Sequence, residues 1–262
     1  MRKHNRVVIL LFFYLLVWGV SLQAQETEGE EAKKKYSATT SFSAIVSSGN
    51  AKEFTFSLES THKYAFDKSQ LDLYAGTIIS ESDGERTSNL YNGYIKYNRN
   101  ISLKSYLLGL VSYERNTLAG FSSRYSLSLG VGHYIVKTEK RELQIEGGFG
   151  GVIEYIMPKE ESQISPVNGS AHSGKNEFLL SRLFVRGAMA ISESATLSQE
   201  GQFLFNMKEA EDVRIYANTA LTVTMVKHIA LQMGLKIKFD NQPVPGYVKT
   251  DIITLSTIVI SF

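Results

Sequence analysis

The residues that could do chemistry are few. Beyond the first 24 positions the histidines are His62, His133, His172 and His228. A metal site needs ligands that converge, as at i,i+2 on a strand or i,i+4 on a helix. None of the four has a ligand-type partner at either spacing, and no cysteine is available to supply a thiolate. An esterase- or phospholipase-like site needs a serine close to a histidine, so that the base can take the hydroxyl proton. His133 is followed by Tyr134 and Ile135, and His62 by Lys63 and Tyr64; His172 and Ser173 are neighbours in a long polar stretch without a third orienting group. A solvated loop histidine is the plainer reading there. Gly130, Gly132 and the run Gly147-Gly148-Phe149-Gly150-Gly151 resemble phosphate loops only as letters, because no helix follows whose N-terminus could hold an anion. Inside strands, glycines permit kinks, bulges and close approach. No catalytic residue, metal or cofactor is therefore expected.

Charge carries more. Glu53, Glu59, Lys63, Arg124, Glu142, Glu146, Glu154, Arg182, Arg186, Glu200, Arg214, Lys236 and Lys238 all fall opposite an apolar stripe of alternating residues. Facing lipid, each basic residue would cost about 2–4 kcal/mol at the membrane midplane. They are expected to line a lumen instead. Both signs are interspersed, whereas selectivity needs a ring of one sign. Two alternatives stay open: the charges pair across the lumen and plug it, or they border a narrow, weakly selective pore.

The elements that must hold these residues begin after a leader. Met1 to Ala24 has a basic start (Arg2, Lys3, Arg6), an apolar run from Val7 to Val20, then small and polar residues, as in a secretory signal peptide. The run is short of the about 20 residues a spanning helix needs. Three basic residues leave with this segment, so the net charge of +2 becomes −1 and no attraction to nucleic acid is implied. Without cysteine there is no disulfide framework. Gln25 to Lys35 (QETEGEEAKKK) reads as a disordered tail.

From Tyr36 to Phe262 the chain alternates at period two. YSATTSFSAIVSS is followed by a Gly49-Asn50 turn and a second long strand through Phe54, Phe56, Leu58, Tyr64 and Phe66. Further strands are expected at Leu71 to Ser80, Ser88 to Arg99, Leu103 to Arg115, Arg124 to Val136, Glu142 to Met157, Glu177 to Ile191, Ala195 to Asn206, Val213 to Val226, Ile229 to Phe239 and Thr250 to Phe262. That makes about twelve strands and no helix. Globular strands centre on about 5–6 residues and tilted membrane strands need about 9–11; these runs suit the membrane. Connections around Asp67, Asn100, Lys137 to Lys140, Ser192 to Ser194 and Lys227-His228 are tight. The alternate ones, Glu81 to Thr87, Asn116 to Ser123, Pro158 to Asn176 and Asp240 to Lys249, are longer. This is the layout of an outer-membrane barrel with its short turns in the periplasm. Tyr36, Tyr64, Phe66, Tyr97 and Phe262 then form one aromatic girdle, and Tyr113, Tyr155, Phe203, Phe205 and Phe239 the other. Leu71 to Ser80, Leu103 to Arg115 and Thr250 to Phe262 carry apolar residues on both faces, so their facing stays open.

The stretch GFSSRYSLSLGVGHYIV (Gly120 to Val136), preceded by YERN (Tyr113 to Asn116), resembles the strand, loop and Gly-x-Gly-aromatic strand of the domain of unknown function 481 family. SSGNAKEFTFSLES (Ser47 to Ser60) is similar to that family's Gly-Asn hairpin. His133 stands where the aromatic would directly follow Gly132, and Tyr134 comes one place later. The resemblance implies a salt-induced outer-membrane barrel and brings no catalytic residues.

The final strand puts Ile258, Ile260 and Phe262 on one face. It looks like the assembly signal of outer-membrane barrels, read by the barrel-insertion machinery, with Tyr36 to Ser48 as its neighbour at the seam. The expected protein is an all-β, antiparallel, up-and-down transmembrane barrel in the outer membrane, surrounded by lipid and acting structurally or as a small diffusion pore. A closed barrel needs no partner to cover its edges, so a monomer suffices. The alternatives are an outer-membrane enzyme of phospholipase or protease type, and a secreted barrel that binds an apolar ligand.

Overall fold

The computed structural model describes residues 35–47, 53–117, 119–157 and 174–262. The expected signal segment, the tail apart from Lys35, the Gly49-Asn50 turn and the His172-Ser173 neighbours lie outside them. Within the described residues the chain is twelve strands: β1 (Tyr36–Ser47), β2 (Glu53–Ala65), β3 (Ser69–Ser82), β4 (Glu85–Asn100), β5 (Ser105–Asn116), β6 (Phe121–Lys137), β7 (Arg141–Ile156), β8 (Lys175–Ala190), β9 (Ala195–Asn206), β10 (Val213–Val226), β11 (Ile229–Asp240) and β12 (Thr250–Ser261).

Each strand pairs antiparallel with the next, and β12 returns to β1, closing the sheet into a barrel. The period-two pattern decides which face of each strand is wet or apolar. On β6, Leu127, Leu129 and Val131 are exposed on the outer face, while the even-numbered Arg124 and Ser128 are buried inside. The same split settles the strands that are apolar on both faces. On β5, Tyr106 and Leu108 are buried in the interior, and Leu107, Val111 and Tyr113 are exposed outside. On β12, Leu255, Thr257 and Val259 are buried inside, and Ile252 and Ile258 are exposed outside. Asp72 and Tyr74 of β3 line the interior.

Several strand ends differ from the sequence expectation. The stretch Glu81 to Thr87 is not a long loop: Asp83 and Gly84 take φ of 50° and 82°. An Asp-Gly pair with both φ positive makes a two-residue type I′ hairpin, so β3 and β4 run on to Ser82 and Glu85. Leu103 is not in a strand; it stands almost fully exposed in the turn before Ser105.

β6 carries a bulge near each end. Register shifts lie between Phe121 and Ser123 and between Tyr134 and Val136. An extra residue in one strand reverses the facing of everything beyond it. Phe121 and Lys137, odd-numbered on a strand whose even positions face inward, are thereby turned into the interior opposite Ile156 and Glu142. Gly132 makes room for another inward group, since a Cβ there would lie 2.1 Å from the Tyr106 ring.

The seam is the barrel's shortest join. β1 and β12 meet through Thr39, Thr40, Ser41 and Phe42 against Ser261, Ile260, Val259 and Ile258, whereas β1 and β2 pair along the whole of Tyr36–Ser47. Phe262 extends the join by donating its N–H to the Ala38 carbonyl at 2.9 Å and accepting from the Ala38 N–H at 3.3 Å.

Candidate functional site

The interior holds the chemistry. For orientation, the end carrying Tyr36, Phe262 and the hairpins after β2, β4, β6, β8 and β10 is the turn end; the opposite one is the loop end.

Toward the loop end, β5, β6, β7, β10 and β11 send charges into one network. Glu154 on β7 accepts from Arg124 Nε at 2.9 Å and from Arg214 at 2.8 and 3.2 Å. Arg214 also meets Asp212 at 2.9 Å and Asp240 at 3.3 Å. Arg124 reaches Tyr216 Oη across the interior at 3.0 Å and Glu114 at 3.4 Å. Lys238 on β11 pairs with Glu114 on β5 at 2.6 Å. β5 and β11 stand opposite each other in a ring of twelve, so this ion pair spans the lumen. The Arg124 guanidinium lies over the Phe121 ring, 3.7 Å from its centroid, which places the bulge's inward phenylalanine against the network. Phe121, Ile156 and Val244 form an apolar cluster with Ala119 and Tyr247, through which the β11–β12 connection covers the network. A second apolar cluster, Ile78, Leu90 and Leu255 with Ile253, fills the β3–β4–β12 side.

One layer further toward the turn end, Glu146 is fully buried. It accepts from Lys96 Nζ, from Tyr106 Oη at 2.7 Å, from Gln144 at 3.2 Å and from Arg182 at 2.9 Å. Buried charges persist only when paired and hydrogen-bonded. Here two cations meet one anion, and in the loop-end network four carboxylates meet three cations. The two layers cancel.

Below these layers the lumen widens into a cavity of about 650 Å³ that reaches turn-end residues such as Lys63, Gln70, Asn98 and Lys137. Glu59 is paired with Lys236 there, and Arg186 lies between Glu142 at 3.8 Å and Glu200 at 3.3 Å. A small cavity of about 170 Å³ lies between this space and the loop-end network, sharing Tyr94, Arg182 and Tyr216 as walls.

Of the thirteen charges expected on the lumen face, Glu59, Lys63, Arg124, Glu142, Glu146, Glu154, Arg182, Arg186, Glu200, Arg214, Lys236 and Lys238 stand in the interior. Glu53 shares their face of β2 but is exposed at the loop-end rim. Sequence reasoning missed Asp72, Lys96, Glu114, Asp212 and Asp240. Asp72 and Glu114 sat on strands of open facing, and Asp212 lies in a connection where alternation has no say. The polar cavity also speaks against an apolar ligand, which would leave these groups desolvated without partners.

Outside the barrel, the β1–β2 wall carries a hydroxyl–imidazole chain that the sequence reading did not anticipate. His62 Nε2 is 3.1 Å from Ser60 Oγ, its Nδ1 is 2.7 Å from Tyr36 Oη, and Ser60 Oγ is 3.0 Å from Thr40 Oγ1. Ser60 and His62 are two apart on one strand, a spacing at which alternate side chains share a face. His133 Nδ1 lies 2.9 Å from Ser105 Oγ, and His228 Nδ1 lies 2.9 Å from the Ser261 carbonyl. Among the described residues no group of three or more His, Asp or Glu side chains is arranged to hold a metal.

A closed antiparallel barrel with an apolar outer face, aromatic rings toward both ends and its charges inside defines an outer-membrane-type β-barrel protein. Its family model, protein of unknown function DUF481, matches residues 40–262, and the chain belongs to that family. Escherichia coli K12 has a relative, the uncharacterized protein YdiY, 21% identical over 215 residues, covering 81% of this chain and 77% of that protein. Among solved structures, the chain is similar to the translocator domain of the autotransporter NalP from Neisseria meningitidis (12% identity, TM-score 0.47, 100% of this chain and 97% of that one). It is also similar to the NanC porin (10% identity, TM-score 0.45, 86% and 97%).

Proposed function

We propose that the protein is a non-catalytic outer-membrane barrel whose lumen is closed toward the loop end, so that it does not act as a standing diffusion pore. The observation that carries this reading is the Glu114–Lys238 ion pair between opposite walls, set in the Arg124–Glu154–Arg214 network. Such a lattice crosses the lumen that a solute would have to pass, and each member is held by at least one partner of opposite sign. The signal segment, insertion by the barrel machinery and a periplasmic turn end belong to the same proposal. Proteoliposome swelling tests it: vesicles carrying the folded protein are expected to swell in isotonic arabinose no faster than empty ones. Swelling at a porin's rate would refute the closed lumen.

A second reading has one observation in its favour. The Ser60–His62–Tyr36 chain has the order of a nucleophile, a base and an orienting group, and it lies on the membrane-facing wall where lipid esters would meet it. Hydrolysis of dioleoylphosphatidylcholine that disappears in Ser60→Ala would support an enzyme. The expected outcome is equal, background release from wild type and variant, the chain being a hydrogen-bonded polar girdle.

A further inference from the structure

We propose that the outer wall of β6, β7 and β8 holds an anionic lipid at a defined place, with an acyl chain laid in a groove over Gly151 and the headgroup phosphate at the Lys208 ammonium. The site is on the lipid face, so it stands or falls apart from the state of the lumen.

The groove follows from the alternation of β7. Its odd-numbered positions face outward, where Phe149, Ile153 and Tyr155 are exposed. Gly147 and Gly151 occupy the same face on either side of Phe149 and bring no side chain to it. Strand register sets the neighbours of Gly151, which are Leu127 on β6 and Leu179 on β8. Directly opposed residues share a face of the sheet, so the two leucines rise beside a position that is bare backbone. A Cβ built on Gly151 would meet no heavy atom within 4 Å. With Val111 and Ile153 the two leucines border an apolar groove of about 520 Å³, inside the range of about 300–1,000 Å³ typical of small-molecule sites. A hydrocarbon chain lying there touches the wall on its floor and both flanks, and dispersion contacts add with each atom touched.

The depth of the groove suits a lipid. One step toward the loop end, Ile153 lies between Tyr125 on β6 and Glu177 on β8. The Tyr125 ring tilts against Tyr113 of the loop-end girdle, with centroids 5.2 Å apart. Aromatic girdles stand at headgroup level. The apolar part of the groove therefore begins where acyl chains begin, and its polar rim lies where headgroups lie.

Charge selects the headgroup. Glu177 and Lys208 are the ionised side chains on the rim. The Glu177 carboxylate is already engaged by Lys175. Lys208, in the connection after β9, uses its backbone N–H on Asn206 Oδ1, but its ammonium has no ion pair or hydrogen bond among the described residues. Two cations thus meet one anion, and the uncommitted charge is positive. An anionic headgroup supplies the missing partner, whereas a zwitterionic one brings its own cation beside Lys175 and Lys208.

Fluorescence quenching by brominated lipids tests this. The sequence has a single tryptophan, Trp18, inside the expected signal segment, so the mature barrel has none and one introduced indole reports alone. Phe149→Trp puts it beside the groove, and Met233→Trp puts it on the exposed outer face of β11. Each barrel, verified as folded by heat-modifiable gel mobility, is placed in dioleoylphosphatidylcholine vesicles. Rising fractions of dibrominated phosphatidylglycerol or dibrominated phosphatidylcholine then replace the host lipid. Phe149→Trp is expected to reach half-maximal quenching at an about fivefold lower fraction of the phosphatidylglycerol, the effect of one basic side chain on an anionic lipid, and Met233→Trp at equal fractions of the two. Added to Phe149→Trp, Lys208→Gln is expected to abolish the preference. So is Gly151→Leu, which fills the groove and whose Cβ meets no clash. Equal quenching by both lipids at Phe149→Trp, or the same preference at Met233→Trp, would overturn the proposal before any further substitution is made. A preference that survives both Lys208→Gln and Gly151→Leu would overturn it as well.

Discussion

At Glu146 the energetics are decided by burial. Its side chain and that of Arg182 are 0% and 6% exposed, while those of Glu59 and Lys236 are 23% and 25% exposed. Removing one partner of a buried pair leaves a charge without compensation and costs about 3–5 kcal/mol, whereas solvent-accessible pairs contribute about 0–1 kcal/mol. Glu146→Leu strands Lys96 and Arg182 together. Urea unfolding in phosphatidylcholine vesicles is therefore expected to show a loss of about 3–5 kcal/mol for Glu146→Leu and at most about 1 kcal/mol for Glu59→Gln. Equal losses would mean that the two sites have the same solvation. Why some of these residues were legible in sequence and others were not follows from alternation. Arg182 and Arg186 on β8, or Glu142, Glu146 and Glu154 on β7, repeat at even spacing opposite an apolar stripe, which reveals their face. Glu114 follows Leu107, Leu108, Leu110 and Val111 on β5, where apolar residues occupy both faces because the interior there is itself packed by Tyr106 and Leu108. Such a strand hides its inward charge. The Ser60–His62 contact was hidden for a different reason: the sequence shows the spacing of two, but not that Tyr36 from the neighbouring strand completes the chain.

β6 and the β12–β1 seam show how single elements shape the lumen. On β6 the alternation expected from Arg124 to Val136 stops where the bulges begin, and so Phe121 and Lys137 were left out of the strand although it runs from Phe121 to Lys137. Period two cannot be followed through an inserted residue. In the same way Asp83-Gly84 supplies the turn chemistry of a tight hairpin, which was passed over in favour of a loop between β3 and β4. The twelve strands themselves were readable, because each has one face that must be apolar for lipid. At the seam, the four register pairs between β1 and β12 are joined by the two hydrogen bonds between Phe262 and Ala38. The Phe262 ring also stacks near His228, with centroids 6.3 Å apart. Deleting Phe262 removes this part of the join and the aromatic end of the Ile258–Ile260–Phe262 face. The deletion is expected to reduce the amount of heat-modifiable barrel recovered from membranes while secreted protein stays constant. Wild-type recovery would rule out a role for Phe262 in assembly.

For the molecule as a whole, sequence left the lumen undecided between plug and pore, because a list of inward charges does not say which walls they join. The fold supplies that information: β5 meets β11, β6 meets β10, β4 meets β7 and β2 meets β11 through named side chains. The interior becomes a loop-end half crossed by ion pairs, with a cavity of about 170 Å³, above a turn-end cavity of about 650 Å³. Single-channel recording in planar lipid bilayers tests that difference between the two ends. Wild-type protein, inserted and shown to be folded, is expected to give no stable conductance steps, while the double variant Glu114→Ala/Lys238→Ala, which removes the span between opposite walls, gives discrete steps. Stable open steps from the wild type, unchanged in the double variant, would contradict the account.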